Sequence, residues 1–176
     1  MTTPAYQLLP LTLKHAGLYS QLINQNLDQL RRHFPVTVRN NHTLTSLKQF
    51  IKSKEKLRKE RKWFGFLILD GDSEEALGYI CLKNVEWTVP KGELAYFLDK
   101  QYRGKGIGTW AVNAITSFSF DELELNKLFL LVAEVNIASR RLAMKCGFQQ
   151  EGFLKKEFRM HTGELVDVFL FGKVRQ

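Results

Sequence analysis

Gln101-Tyr102-Arg103-Gly104-Lys105-Gly106-Ile107-Gly108-Thr109 follows a strand pattern that ends at Asp99 and leads into a helical one. Its three glycines at alternate positions let successive backbone N–H groups converge on one anion, and the helix that follows adds the positive end of its dipole. A diphosphate is the natural occupant, because a plain connecting turn has little need of such glycines with cations between and beside them. Spacing excludes two familiar phosphate loops. A Walker loop requires Ser or Thr directly after its lysine, and Lys105 is followed by Gly106. A dinucleotide fingerprint requires two residues between its second and third glycines, and Ile107 alone separates Gly106 from Gly108.

Outward from this loop the chain changes period repeatedly. Residues 63–69 and 77–89 flank the turn chemistry of Asp70-Gly71-Asp72, which predicts an antiparallel hairpin, and 93–99 predicts a third strand. Earlier, 6–9 reads as a short strand and Thr12 is placed to cap a helix reaching about Gln25. A second helix over 27–33 stops at Phe34-Pro35, and Thr43 or Thr45 caps a third that ends near Lys62. After the loop, Ile107, Ala111, Ile115 and Phe118 recur at helical spacing through about Phe120. Residues 127–134 read as a buried strand, 137–145 as a helix closed by Gly147, and the tail as two strands around His161-Thr162-Gly163. Hairpins on both sides of a strand, helix, strand, helix unit predict an α/β (mixed α+β) fold. Its sheet should be mixed, mostly antiparallel and twisted, with about six or seven strands flanked by helices; a wholly parallel, doubly wound sheet is disfavoured.

The 176 residues suit a single domain, 1–176, since no repeat or Pro/Ser-rich linker divides them. A hydrophobic content of 44% with 12% aromatics excludes disorder over most of the length. No run of about 18 apolar residues could span a bilayer, and the first ten residues lack a secretion signal, so a cytoplasmic location without a membrane partner is expected. Cys81 and Cys146 lack metal-type spacing and read as reduced, semi-buried thiols. His15, His33, His42 and His161 are scattered, so no metal site is expected. Ser117 and Ser119 lie in a helix without a nucleophile-elbow frame, which argues against an acyl-enzyme.

The net charge of +8 is concentrated. From Lys48 to Lys62 eight basic residues stand against only Glu55 and Glu60. The segment is either a solvated helix face over the buried stripe Leu47, Phe50, Ile51 and Leu57, or the footprint of an anionic partner such as RNA, a ribosome surface or a cofactor's phosphates.

Gln101-x-x-Gly104-x-Gly106 after a strand resembles the acetyl-CoA diphosphate signature of the GNAT N-acetyltransferase superfamily. Asn136-x-x-Ser139 through Lys145-x-Gly147-Phe148 is similar to that superfamily's next block, with one helix and one strand intervening. Glu93-Leu-Ala-Tyr-Phe-Leu, Asn136-Ile-Ala-Ser139, Glu151-Gly-Phe-Leu and Asp167-Val resemble the RimJ/RimL type, which acetylates the N-terminal amine of ribosomal proteins. Leu30-Arg-Arg-His-Phe34-Pro35 resembles a leader motif of the same type, so the likeness covers nearly the whole chain.

The resemblance implies a GNAT-like sheet and acetyl-CoA (coenzyme A) as acyl donor. On it, the loop from Gln101 to Thr109 binds the cofactor, with backbone amides of Arg103, Gly104, Lys105, Gly106, Ile107 and Gly108 holding the diphosphate. Phe97 and Leu98 would offer main-chain groups to the pantetheine arm as though it were another strand, and Asn136 would meet that arm from the far side. The side chains of Arg103 and Lys105 either touch cofactor phosphates or stay solvated. Many members of the superfamily carry a tyrosine that protonates the departing thiolate, and here that position is Ala143. The RimJ/RimL type substitutes a serine matching Ser139, whose other reading is a helix cap or a cofactor contact.

An amine must lose its proton before it attacks a thioester. An α-amine, with a reference pKa of about 7.7 to 8.0, needs only a weak or water-relayed base, whereas a lysine side chain sits near 10.4. Two carboxylates are candidates. Glu157 lies near where the resemblance places the subfamily's glutamate, a match that needs one extra residue before Gly163, and Glu93 lies on the strand leading to the loop. Each has a plainer reading as a solvated surface or strand carboxylate. The expected function is direct, acetyl-CoA-dependent transfer of acetyl to a primary amine, foremost the N-terminal α-amine of a ribosomal protein. Association with a ribosome or ribosomal protein would follow, and the apolar content allows a homodimer. The alternatives are acetylation of a small amine (polyamine, antibiotic or amino acid) and a non-catalytic coenzyme A binding or RNA-associated module. The charge weighs against a polycation.

Overall fold

The computed structural model describes residues 6–34, 37–38, 43–73, 75–160 and 162–176; Pro35, His42 and His161 lie outside the described residues. Seven strands form one sheet in the order β1-β2-β3-β4-β5-β7-β6. They are β1 Tyr6–Pro10, β2 Phe64–Asp70, β3 Ala76–Glu86, β4 Lys91–Leu98, β5 Lys127–Ala133, β6 Gln149–Arg159 and β7 Leu165–Val174. Every neighbouring pair is antiparallel except β4 with β5, which gives the mixed, mostly antiparallel sheet the sequence predicts. The flanking helices are α1 Ala16–Gln25, α2 Leu27–His33, α3 Leu44–Lys59, α4 Ile107–Ser117 and α5 Ile137–Lys145.

The apolar run of β2 is explained by cover on both faces. Alternation sends Phe64, Phe66 and Ile68 to one side, where Ile107, Ala111 and Ile115 of α4 pack on them. Leu67 and Leu69 of β2, with Tyr79 and Cys81 of β3, turn to the other side beneath Tyr19, Leu22, Leu47 and Ile51 of α1 and α3. A strand covered twice needs no polar face, so its sequence is apolar without a break.

Local chemistry moves several boundaries. Leu13–His15 forms a 3-10 turn, with His15 Nδ1 3.1 Å from Thr12 Oγ1, so α1 starts at Ala16 rather than after Thr12. Thr43, not Thr45, caps α3: its hydroxyl accepts from the Ser46 N–H at 3.1 Å, and Ser46 Oγ accepts from the Thr43 N–H at 3.0 Å. The helix stops at Lys59 instead of Lys62, because Arg61 is left-handed at φ 57°. β3 stops at Glu86, short of residue 89: Asn84 is left-handed at φ 50° and the register slips between Lys83 and Glu86, so β4 begins at Lys91. α4 ends at Ser117 and widens into a π turn over Phe118–Glu122. There the hydroxyls of Thr116 and Ser119 donate to the carbonyls of Val112 and Ile115 at 2.7 Å each. Cys81 and Cys146 are free and buried, at 5% and 4% exposure, rather than semi-buried. No helix among the described residues is long and apolar enough to cross a membrane.

Candidate active site

β4 and β5 pair at only three positions, Lys91 with Lys127, Gly92 with Leu128 and Glu93 with Phe129, and then part. β4 stays on β3 as far as Leu98, and β5 stays on β7 as far as Ala133. A cavity of about 380 Å³ opens between them, lined by Leu94, Ala95 and Tyr96 on one side and Leu130, Leu131 and Val132 on the other.

Parting leaves β4 with a free edge, and the ladder decides which residues it offers. The Asp99 N–H donates to the Leu77 carbonyl at 2.9 Å, so alternation turns the main-chain groups of Ala95 and Phe97 to β3 and those of Leu94, Tyr96 and Leu98 to the gap. Leu98 therefore has its main-chain groups at the free edge. Phe97 does not: its polar groups face β3 and its ring is buried beneath the helices, 5.6 Å from that of Phe34. Tyr96 takes its place at the edge.

β4 runs directly into the glycine loop. Lys100–Tyr102 makes one 3-10 turn, and α4 begins at Ile107 with Gly106 as its N-cap. Gly104 and Gly106 hold φ values of 75° and 84°, a region open to glycine at little cost. Among the described hydrogen bonds, the N–H groups of residues 103–109 find no protein acceptor; the next, Trp110, bonds Gly106 at 3.0 Å. Gly108 has another duty. A Cβ there would stand 2.6 Å from Leu142 Cδ1, so its absence lets α4 approach α5. Of the loop side chains, Gln101 is exposed, Arg103 donates to the Gln29 amide oxygen, and Lys105 Nζ lies 5.0 Å from the centre of the Tyr102 ring. Half-buried Thr109 gives its carbonyl to Cys146 Sγ at 3.9 Å.

The loop is anchored from inside the protein. Asp99 is 3% exposed; its Oδ2 accepts from Asn26 Nδ2 at 2.8 Å and its Oδ1 from the Gln101 N–H at 2.9 Å. Asn26, at the junction of α1 and α2, accepts from the Lys100 N–H at 3.2 Å and donates to the Leu22 carbonyl at 3.0 Å. Sequence reading missed both residues. Asp99, two before Gln101, carries a turn signal in hindsight, but nothing local marks Asn26.

Across the gap, Asn136 caps α5 by accepting from the Ser139 N–H at 3.2 Å, and Ser139 Oγ lies 2.8 Å from the Tyr96 hydroxyl. Burial pushes the Tyr96 phenol up to about 12, against the pull of its bond to Ser139, so it stays protonated near neutrality. Ala143 is wholly buried at 0% exposure. Tyr96 was overlooked in the motif Glu93-Leu-Ala-Tyr-Phe-Leu, whose alternation would have put a phenol at the cavity.

Of the two carboxylates, Glu93 is in the cavity wall. It is 7% exposed, with Oε1 2.9 Å from Lys83 Nζ and Oε2 accepting from Asn84 Nδ2 at 2.7 Å. The structure does not bring Glu157 there. Between the pairs Leu154 with Val168 and Phe158 with Val166 the β6 backbone bulges. Lys156 is left-handed at φ 54° and its N–H is held by Asp167 Oδ1 at 2.8 Å. Glu157 is exposed on this bulge, and Phe158 lines the cavity instead.

The free edge and the loop of unengaged amides suit a ligand with an extended diamide arm and a diphosphate, the outline of an acyl-coenzyme A. The chain belongs to the acetyltransferase (GNAT) domain family, whose model matches residues 7–149. A Bacillus subtilis protein provisionally described as a ribosomal N-acetyltransferase is 36% identical over 86 residues, 49% of this chain and 45% of that one. The spermidine N(1)-acetyltransferase of Escherichia coli K12 is 31% identical over 91 residues, 52% of this chain and 48% of that one. The chain thus spans about half the length of these curated relatives. Among solved structures, the RimL ribosomal L7/L12 α-N-protein acetyltransferase in complex with coenzyme A has the same fold, with a TM-score of 0.89 at 18% identity over 99% of this chain and 96% of that one.

Proposed function

We propose that the protein transfers acetyl from acetyl-CoA directly to a primary amine, and that its acceptor is the α-amine at the N-terminus of a protein, in the manner of the ribosomal-protein acetyltransferases. The observation that carries this reading is the parting of β4 from β5 after Glu93. It leaves β4 a free edge that runs on into the loop of unengaged amides, and a pair of hydroxyls meets across the gap beside it.

Acetyl-CoA supplies an acetyl thioester when bound. Amides of residues 103–108 would hold its diphosphate, Tyr96 and Leu98 its diamide arm, and Asn136 would face that arm across the gap. The amine enters the cavity beside Glu93, which takes its proton directly or through one water. An α-amine, ordinarily near 7.7 to 8.0, asks less of such a base than a lysine near 10.4. As the N–C bond forms and the C–S bond breaks, Ser139 Oγ would be placed to give its proton to the leaving sulfur, with the Tyr96 hydroxyl replacing it and regaining its own proton from water. The basic residues of α3 support a ribosomal setting: Lys48, Lys52, Lys56 and Lys59 are all exposed and recur at helical spacing, so they form one stripe.

Thiol release from acetyl-CoA over a panel of N-terminal peptides, lysine peptides and spermidine tests the proposal. Peptide α-amines are expected to exceed the other acceptors in kcat/KM by about tenfold or more. Turnover of spermidine alone would favour a small-amine enzyme, and inactivity on every amine despite cofactor binding would overturn the transferase reading.

A further inference from the structure

The cavity holds one charge that acyl transfer does not use. Lys54 of α3 reaches its wall, with Nζ 5.3 Å from the centre of the Phe50 ring and 5.7 Å from that of Trp63, and both rings also line the cavity. The other charges in the lining neutralise each other, Lys83 being paired with Glu93 at 2.9 Å. Glu93 is already met by Lys83 on one oxygen and by Asn84 at 2.7 Å on the other, and it makes no ion pair with Lys54. Lys54 has no carboxylate partner among the described residues. The sequence from residue 34 to 43 contains no Asp or Glu.

Cys81 lies close enough to Lys54, Lys83 and Glu93 to feel the charge of each, but burial pushes its thiol up and keeps it neutral. It cannot serve as the counter-ion. Burial also lowers the Lys54 ammonium from its ordinary range, and Lys83 lowers it further against the opposing effect of Cys81. Holding a half-buried cation against two aromatic rings without an anion leaves part of its lost hydration unreplaced, and a ligand's negative charge would make that good. Where water is scarce, that attraction is strong.

We propose that the acceptor carries a carboxylate within its first two residues, and that Lys54 receives this group while the α-amine stands at Glu93. The inference rests on the N-terminal acetyltransferase reading above and narrows it to acidic N-termini. A polyamine has the opposite character. Its remaining ammonium groups would meet Lys54 and Lys83 with the one lining carboxylate already engaged.

The test uses short peptides that differ only in Glu against Gln, at position one or at position two. Each is measured by transfer rate and, with coenzyme A present, by calorimetric binding. The Glu peptide is expected to be preferred by about tenfold in kcat/KM and in Kd at one of the two positions, which also locates the carboxylate. Lys54→Met keeps the apolar stem against Phe50 and Trp63 and should bring the pair to within about twofold, and Lys54→Glu should favour a Lys peptide over the Glu one. Equal handling of Glu and Gln at both positions by the native protein overturns the proposal, as does a preference that survives Lys54→Met. Absence of transfer with Lys54-dependent binding of the Glu peptide intact would remove the transferase reading and uphold the carboxylate site.

Discussion

The Tyr96 hydroxyl on β4 and Ser139 Oγ on α5 meet across the parted sheet at 2.8 Å, joining two elements that share no ladder at that point. In the proposed transfer Ser139 meets the leaving sulfur and Tyr96 stands behind it. Ser139→Ala is therefore expected to lower kcat by roughly a hundredfold and Tyr96→Phe by roughly tenfold, with little change in the KM for acetyl-CoA. The double variant should be no worse than Ser139→Ala alone, because the two act as one unit. Steady-state kinetics of the three variants decide the matter, and additive losses would separate the two roles.

Gly106 tests the loop independently of the chemistry. A Cβ there meets nothing within 4 Å, so the penalty of Gly106→Val lies in the backbone, where φ 84° costs a side-chain-bearing residue about 1–2 kcal/mol. Relaxation of that angle also re-aims the neighbouring amides. Coenzyme A affinity is expected to fall by about tenfold or more, against less than about twofold for Ser139→Ala. Equal losses in a titration of the two would contradict this division of labour.

Asn26→Ala should act at a distance. It leaves Asp99 Oδ2 buried without its 2.8 Å donor, at a cost of about 2–3 kcal/mol. For a chain of this size that corresponds to a fall in melting temperature of roughly 5–10 °C. The loop it anchors should also bind coenzyme A more weakly, which calorimetry on the folded variant would register.

The uneven legibility of these features has a physical basis. The doubly covered β2, the hairpin about Asp70, the loop and the helix behind it were readable because each is written in local period or turn chemistry. What was missed depends on distance along the chain. Nothing near Asn26 signals a partner 73 residues away, and nothing near Tyr96 signals Ser139, 43 residues on. The motif does not separate Phe97 from Tyr96 at the free edge, because choosing between adjacent strand residues requires the register, which Asp99 and Leu77 reveal. Glu157 was placed by motif alone, and the bulge set up by Lys156 and Asp167 decides where it points.

The two carboxylates should respond differently. Glu157→Gln, exposed and outside the cavity, is expected to change kcat by less than about twofold. Glu93→Gln removes the carboxylate beside the entering amine and the partner of Lys83, and should lower kcat by about tenfold or more. Rate measurements that reversed this order would move the base to β6.

Alkaline titration gives a further check. Tyr96 rises from an ordinary 10.0 to about 12, and Tyr19 and Tyr79 are also pushed up by burial. Below pH 10 both native and unfolded chains keep these protons, so the groups leave stability independent of pH. As pH climbs from 10 through about 12 the unfolded chain releases them first, and stability falls. Urea midpoints should therefore drop across this window, and Tyr96→Phe should make the drop shallower.

Only three rungs tie the half of the sheet containing β1 to β4 to the half containing β5 to β7. Past Glu93 the two halves share no ladder, so a molecule lying in the seam would add contacts to both. A bound donor would work as a keystone as well as a reagent, and resistance to unfolding would rise with donor concentration. Once acetyl has left, the same wedge must loosen, and the opening of the seam becomes the natural limit on how fast the spent carrier departs.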